Sequence, residues 1–243
     1  MQLDVKYKRV ILKFSGEVLK GDGADGVFSN IMMSKLCDEI AYLHDNGIEL
    51  GVVLGGGNIF RGASANTNVG YDRVRGDYIG MLATVINSMA ISDVLVRRGV
   101  PVEVFSSLMM PDICATYYPR SAQKSMGDGN VLLLAGGTGS AFFSTDSAAA
   151  LRANELHADV VIKATKVGGV YDKDPQKFPD AKKFDLISFD EALSRHLNVM
   201  DSTAFSLCME NNIPIIVVDA ENDMKNIWRA LCGEMVGTIV CDC

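Results

Sequence analysis

The sequence predicts one α/β domain, residues 1–243, built on a parallel sheet, and three observations predict it. Strand-like β-branched runs alternate with helix-like segments throughout, with no Ser/Gly-rich linker or fixed-period repeat between them. Hydrophobic residues make up 48% of the 243, enough for a full core. Two apolar strands run straight into glycine clusters, at 55–57 and 136–139. Glycine lets successive backbone N–H groups converge on an anion, and the C-terminal ends of parallel strands are where open α/β sheets bind ligands.

In order, residues 9–14 (Arg-Val-Ile-Leu-Lys-Phe) read as a buried strand that stops at Ser15-Gly16, with Lys13 at its C-terminal end. The flexible segment 21–26 (Gly-Asp-Gly-Ala-Asp-Gly) leads to a helix capped by Ser29 or Asn30 and stopped at Gly47. Residues 48–54 form the strand that feeds the first glycine loop. A polar stretch, 63–75, precedes a helix over 76–98, opened by Asp77 and apolar around nearly its whole circumference, which suits burial on more than one side or a subunit contact. A strand at 101–105, a short helix at 117–126 and a strand at 130–134 reach the second glycine loop. Thr145 or Asp146 caps an alanine-rich helix over 147–157, and the strand 160–164 carries Lys163 where the first strand carries Lys13. Two lysines at strand ends can flank one phosphate. After a polar loop, 166–180, Ser188 and Glu191 form a capping box, Asp201 precedes a helix to 211, and a strand (214–218), a helix (223–232) and a last strand (237–241) follow.

The net charge of -7 argues against a nucleic-acid-coating surface or an anionic-membrane binder. No apolar run approaches membrane-spanning length and the N-terminus lacks a signal-peptide core. Six cysteines without a Cys-x-x-Cys pair make zinc or a disulfide framework poor readings, and Cys241 and Cys243 read as a frayed tail; together these features point to the reducing cytoplasm. A Walker A sequence, the G-x-G-x-x-G spacing and the G-x-S-x-G elbow are all missing, and the three histidines have no partner motif.

Six blocks then resemble the bacterial uridylate (UMP) kinases of the amino-acid-kinase fold: Leu12-Lys-Phe-Ser-Gly-Glu17, Gly55-Gly-Gly-Asn-Ile-Phe-Arg-Gly62, Gly76-Asp-Tyr-Ile-Gly-Met-Leu-Ala-Thr84, Thr138-Gly-Ser-Ala-Phe-Phe-Ser-Thr-Asp146, Lys163-Ala-Thr-Lys-Val-Gly-Gly-Val-Tyr-Asp-Lys-Asp-Pro175 and Val199-Met-Asp201. The resemblance spans essentially the whole chain and implies a three-layer α/β/α sandwich around a mainly parallel sheet. It implies transfer of the ATP γ-phosphoryl group to UMP, with Mg²⁺ carried on ATP and no direct metal ligand from the chain. Rival readings are a nucleotide-binding sensor without turnover and another small-molecule kinase of the same fold.

By similarity, Lys13 and Lys163 neutralise the transferring group, and Asp146 and Asp201 orient the lysines and, through water, the metal. Lys13, Phe14, Ser15, Gly16, Gly57 and Arg61 face ATP phosphates, while Thr165, Tyr171 and Asp174 face its base and ribose. Gly56 and Arg61 hold the UMP phosphate, Asp77 its ribose, and Thr138, Gly139, Ser140, Ala141, Phe142, Phe143, Ser144 and Thr145 its uracil. The segment Gly21, Asp22, Gly23, Ala24, Asp25, Gly26 resembles one associated with activation by GTP; a homohexamer inhibited by UTP is also implied. Ser140-Ala141 replaces a frequent Asn-Pro, and Gly168 a frequent Asp.

Overall fold

The computed structural model describes residues 5–20, 26–60 and 72–242. Its strands are β1 (Arg9–Phe14), β2 (Glu49–Leu54), β3 (Val102–Ser106), β4 (Ala115–Thr116), β5 (Val131–Ala135), β6 (Val160–Thr165), β7 (Leu186–Ser188), β8 (Ile215–Asp219) and β9 (Gly237–Cys241). Among the described residues they form one sheet in the order β4-β3-β5-β2-β1-β6-β8-β9-β7. Every pairing is parallel except β8 with β9. The inner strands are covered on both faces, which is why β5 can be the unbroken apolar run Val-Leu-Leu-Leu-Ala, buried throughout.

Alternation along β1 sends Val10, Leu12 and Phe14 into one helix layer and Ile11 into the other. The first layer holds α1 (Asn30–Asp45), α2 (Arg73–Arg97) and α7 (Asn226–Leu231). The second holds α3 (Pro119–Gly127), α4 (Thr145–Glu155), α5 (Phe189–Ser194) and α6 (Ser202–Glu210). This is the three-layer arrangement that the resemblance to the UMP kinases implies. Each fully buried Leu, Ile or Phe in these layers contributes about 1.5–3 kcal/mol.

Helix ends follow local chemistry. Ser29 caps α1 by accepting the Met32 N–H, and Ser188 caps α5 by accepting the Glu191 N–H. Four expectations need correction. α2 starts before residue 76, because Asp72 supplies its cap by accepting the Arg75 N–H; Asp77 sits in the second turn and opens nothing. Ser144, rather than Thr145 or Asp146, caps α4, accepting the N–H groups of Asp146 and Ser147 at 2.9 and 3.2 Å. Cys241 is no frayed tail, since it closes β9 in register with Ser188.

α2 is also long and apolar enough, by length and composition, to cross a membrane, which corrects the expectation that no segment reaches that length. Its Met81, Val85, Ile91 and Leu95 are instead buried, whereas Tyr78, Leu82, Ile86, Met89 and Val96 are exposed.

Candidate active site

The sheet order places β1 between β2 and β6, so the chain leaves β1 toward one side of the sheet and later returns to its other side. Ligands of open α/β sheets bind outside the strand ends at such a reversal. There Lys13 and Lys163 are register partners on adjacent parallel strands and project from the same face. Side by side, two ammonium groups repel each other.

Asp146, in the first turn of α4, removes that penalty. Its Oδ1 lies 2.7 Å from the Lys13 ammonium and its Oδ2 2.8 Å from that of Lys163, which also donates to the Val199 carbonyl at 2.8 Å. Burial pushes the Asp146 carboxyl up, but the two ammonium groups more than offset it, and its pKa lies below the ordinary carboxylate value. The two ammonium groups thus share one carboxylate where the positive end of α4 points, in a chain of net charge -7. Such a point attracts a polyanion.

Asp201 corrects the sequence reading. It touches neither lysine through the bonds it forms; it caps α6 by accepting the Ala204 N–H at 2.9 Å and accepts the hydroxyls of Ser144 and Ser147. Because Ser144 caps α4, Asp201 acts on Asp146 through the helix start. A sequence shows two aspartates before helices and cannot tell which one reaches the lysines.

The glycine loops meet this edge from one side. A Cβ on Gly16 would fall 2.4 Å from the Gly55 carbonyl and 2.7 Å from the Gly57 nitrogen, so only glycine lets these two backbones pack. The Ser15 hydroxyl accepts the Glu17 N–H, and Phe14 is buried in the core, its carbonyl accepting the Gly55 N–H at 3.0 Å. At the second loop Gly136 has φ +73 and a Cβ there would lie 2.8 Å from the Ser106 hydroxyl.

Sequence reasoning missed the residues that hold both loops. Buried Asn87 on α2 donates to the Gly55 carbonyl at 2.7 Å and exchanges amide bonds with Asn58 at 2.8 and 3.0 Å. One turn earlier, buried Thr84 accepts the Gly136 N–H at 2.8 Å. Their signal was available: two polar residues three apart inside an apolar helix need partners. Arg152, also buried, reaches the Ser107 hydroxyl at 2.7 Å and the Gly137 carbonyl at 3.3 Å behind the second loop.

Two clefts are lined by the candidate residues, and Lys163 lines one of them. One, about 460 Å³, is lined by Gly56, Gly57, Phe60, Asp77, Met81, Thr84, Gly137, Phe143, Ser144 and Thr145. Here Asp77 is gripped by Arg73 at 3.0 Å and accepts the Phe142 N–H at 2.8 Å, holding Phe142 at φ +71. A non-glycine residue in that conformation is strained, and strain of about 1–3 kcal/mol persists where surrounding contacts fix it. Thr138 and Ser140 bond within the loop, Gly139 donates to the Gly136 carbonyl, and Ala141 links them to Phe142. The other cleft, about 520 Å³, is lined by Lys163, Thr165, Tyr171, Asp174 and Val199 among others. The Thr165 hydroxyl is engaged with the Val167 backbone, and Asp174 accepts the Gln176 N–H.

Arg61, and Gly21 to Asp25, lie outside the described residues; Gly26 is described and exposed. The geometry thus unites Lys13, Lys163 and Asp146 at one sheet edge, with Gly56, Gly57, Asp77, Phe143, Ser144 and Thr145 lining one cleft and Thr165, Tyr171 and Asp174 the other; Phe14, Ser15, Ser140, Ala141, Phe142 and Asp201 line neither.

Comparison with known proteins identifies the family. The family model described as the amino acid kinase family matches residues 8–219. The structure is similar to UMP kinase from Ureaplasma parvum, at 34% identity and a TM-score of 0.91, covering 97% of this chain and 99% of that one. UMP kinase from Bacillus anthracis shares 33% identity at a TM-score of 0.93, covering 97% and 96%. Uridylate kinase from Archaeoglobus fulgidus follows at 26% and 0.72, covering 96% and 99%. On a match over most of its length and likeness along nearly whole chains, this chain belongs to the amino acid kinase family, in its bacterial UMP kinase branch.

Proposed function

We propose that the chain transfers the γ-phosphoryl group of ATP directly to a phosphate oxygen of UMP, giving ADP and UDP within pyrimidine nucleotide synthesis. The observation that carries the reading is the pair of register-matched lysines on one carboxylate, with Lys163 also lining a cleft. In this reading ATP lays its phosphates along Ser15, Gly16 and Gly57, with base and ribose in the cleft of Thr165, Tyr171 and Asp174. UMP occupies the other cleft, its phosphate toward Gly56 and Arg61, its ribose at Asp77 and its uracil beside residues 138–145.

The nucleophile, a UMP phosphate oxygen, is already ionised at neutral pH, so no general base is needed. The protein's part is alignment and charge. Lys13 and Lys163 face the equatorial oxygens of the moving group, and Asp146 keeps both ammonium groups fixed before and after transfer, so little reorganisation accompanies reaction. Mg²⁺ entering with ATP supplies further neutralisation. Among the described residues there is no cluster of three metal-ligating side chains, and both Asp146 oxygens are taken by lysines. In this reading nucleotide phosphates would hold the metal, with Asp146 and Asp201 toward it through water. The same reading includes one functional domain, a cytoplasmic setting, a homohexamer joined partly through the exposed face of α2, activation by GTP and inhibition by UTP.

A coupled assay with ATP, Mg²⁺ and one of UMP, CMP, aspartate or acetylglutamate tests it. Turnover with UMP is expected; turnover only with an amino acid, or saturable UMP and ATP binding without UDP, rejects it.

A further inference from the structure

Behind the second glycine loop, α4 carries a guanidinium out of reach of solvent: Arg152, on the helix whose first turn places Asp146 on the two lysines, has 4% of its surface exposed. Burying a charge is costly unless it is paired and hydrogen-bonded. Arg152 meets both conditions. It pairs with Glu155, and its guanidinium carbon lies 3.8 Å from the centroid of the Tyr117 ring, whose hydroxyl donates to the same carboxylate at 2.8 Å. The Gln123 side chain donates to the Glu155 carbonyl at 2.6 Å, which anchors the counter-ion in turn. With the arginine fixed in this way, its other terminal nitrogen is aimed at the loop.

That nitrogen donates to the Ser107 hydroxyl at 2.7 Å and to the Gly137 carbonyl at 3.3 Å, and the Ser107 hydroxyl donates to the same carbonyl at 2.9 Å. Gly137 is thus held twice from the α4 side, while Thr84 on α2 holds the adjacent Gly136 N–H. Neighbouring backbone groups are clamped from both helix layers. The loop needs such contacts: Gly136, Gly137 and Gly139 all have positive φ, and glycine has the most backbone freedom to lose. Gly137 also lines the cleft of Gly56 and Asp77. Asp146 and Arg152 stand on one helix, about 9 Å apart along its axis, so a single rigid element ties the lysine pair to this wall of the cleft.

We propose that Arg152 is a positioning residue for the acceptor: through Ser107 and the Gly137 carbonyl it holds loop 136–139 at a set distance from Lys13 and Lys163, and so sets how tightly the acceptor nucleotide binds. This role rests on UMP occupying that cleft and ATP the other, as proposed above.

Steady-state kinetics of Arg152→Lys and Ser107→Ala, with each substrate varied while the other is saturating, test it. Lysine keeps a positive charge beside Glu155 but lacks the planar fork that reaches serine and carbonyl together, and Ser107→Ala removes the relay without unpairing any charge. KM for UMP should rise about tenfold in Arg152→Lys and about threefold or more in Ser107→Ala, with KM for ATP changing less than about twofold. Because both residues act through one carbonyl, the double variant should match Arg152→Lys within about twofold. Both KM values rising together, effects that multiply in the double variant, or an unchanged KM for UMP in both single variants overturns this proposal alone. Wild type that fails to turn over UMP overturns it together with the reading on which it rests.

Discussion

Lys13 and Lys163 show how a single residue position acquires chemistry: each ends an apolar strand, and register alone brings them together. Asp146 makes the pairing tolerable, so Asp146→Asn leaves two uncompensated, largely buried cations and should cost about 3–5 kcal/mol, read from denaturant unfolding. Its folded pKa is depressed, so that stability is present above the unfolded value and lost as pH falls through the folded one. The gap between wild type and Asp146→Asn should accordingly be level from pH 5 to 8 and close only in stronger acid. Glu39 has the opposite sign. Raised to about 7, it binds a proton more readily folded than unfolded, so stability falls as pH climbs from its unfolded value through 7. Glu39→Gln should be more stable than wild type at pH 8 and equal to it near pH 5; a gap that widens toward pH 5 would contradict this. The lysines were legible in the sequence because strand-end position is a pattern. The division of labour between Asp146 and Asp201 was not, because capping and ion pairing use the same residue type and only packing separates them.

Among the elements, α2 couples the most. One face presents Thr84 and Asn87 to the two glycine loops, and Asp77 nearer its start tethers Phe142. The other exposes Tyr78, Leu82, Ile86 and Met89. Asn87→Ala leaves the Gly55 carbonyl without this donor, and a loss of about 1–3 kcal/mol together with a lower kcat is expected. Normal turnover in a folded Asn87→Ala protein would show that the first loop keeps its shape without that bond. Leu82→Glu with Ile86→Glu should leave the monomer fold intact while reducing the mass measured by light scattering. Unchanged mass would remove α2 from the assembly. The sequence marked this helix as apolar all round, which is true of composition but hid its start at Asp72 and its buried polar pair, because an averaged pattern is insensitive to single hydrogen-bonded positions.

At the scale of the whole molecule, a parallel sheet with β1 between β2 and β6 creates the reversal at which both clefts open. Alternating strand and helix patterns were enough to foresee one α/β domain, while the three layers came from the family resemblance. The order of strands was not readable, nor were the short edge strands β4 and β7, since two- or three-residue pairings carry no periodic signal.

The most direct test of the account is a single-turnover measurement of UDP formation by wild type and Lys163→Ala, with UMP affinity measured alongside. Loss of one preorganised cation should slow the chemical step by about 10²–10³-fold while UMP affinity changes less than about threefold. A Lys163→Ala protein that transfers the phosphoryl group at the wild-type rate would contradict it.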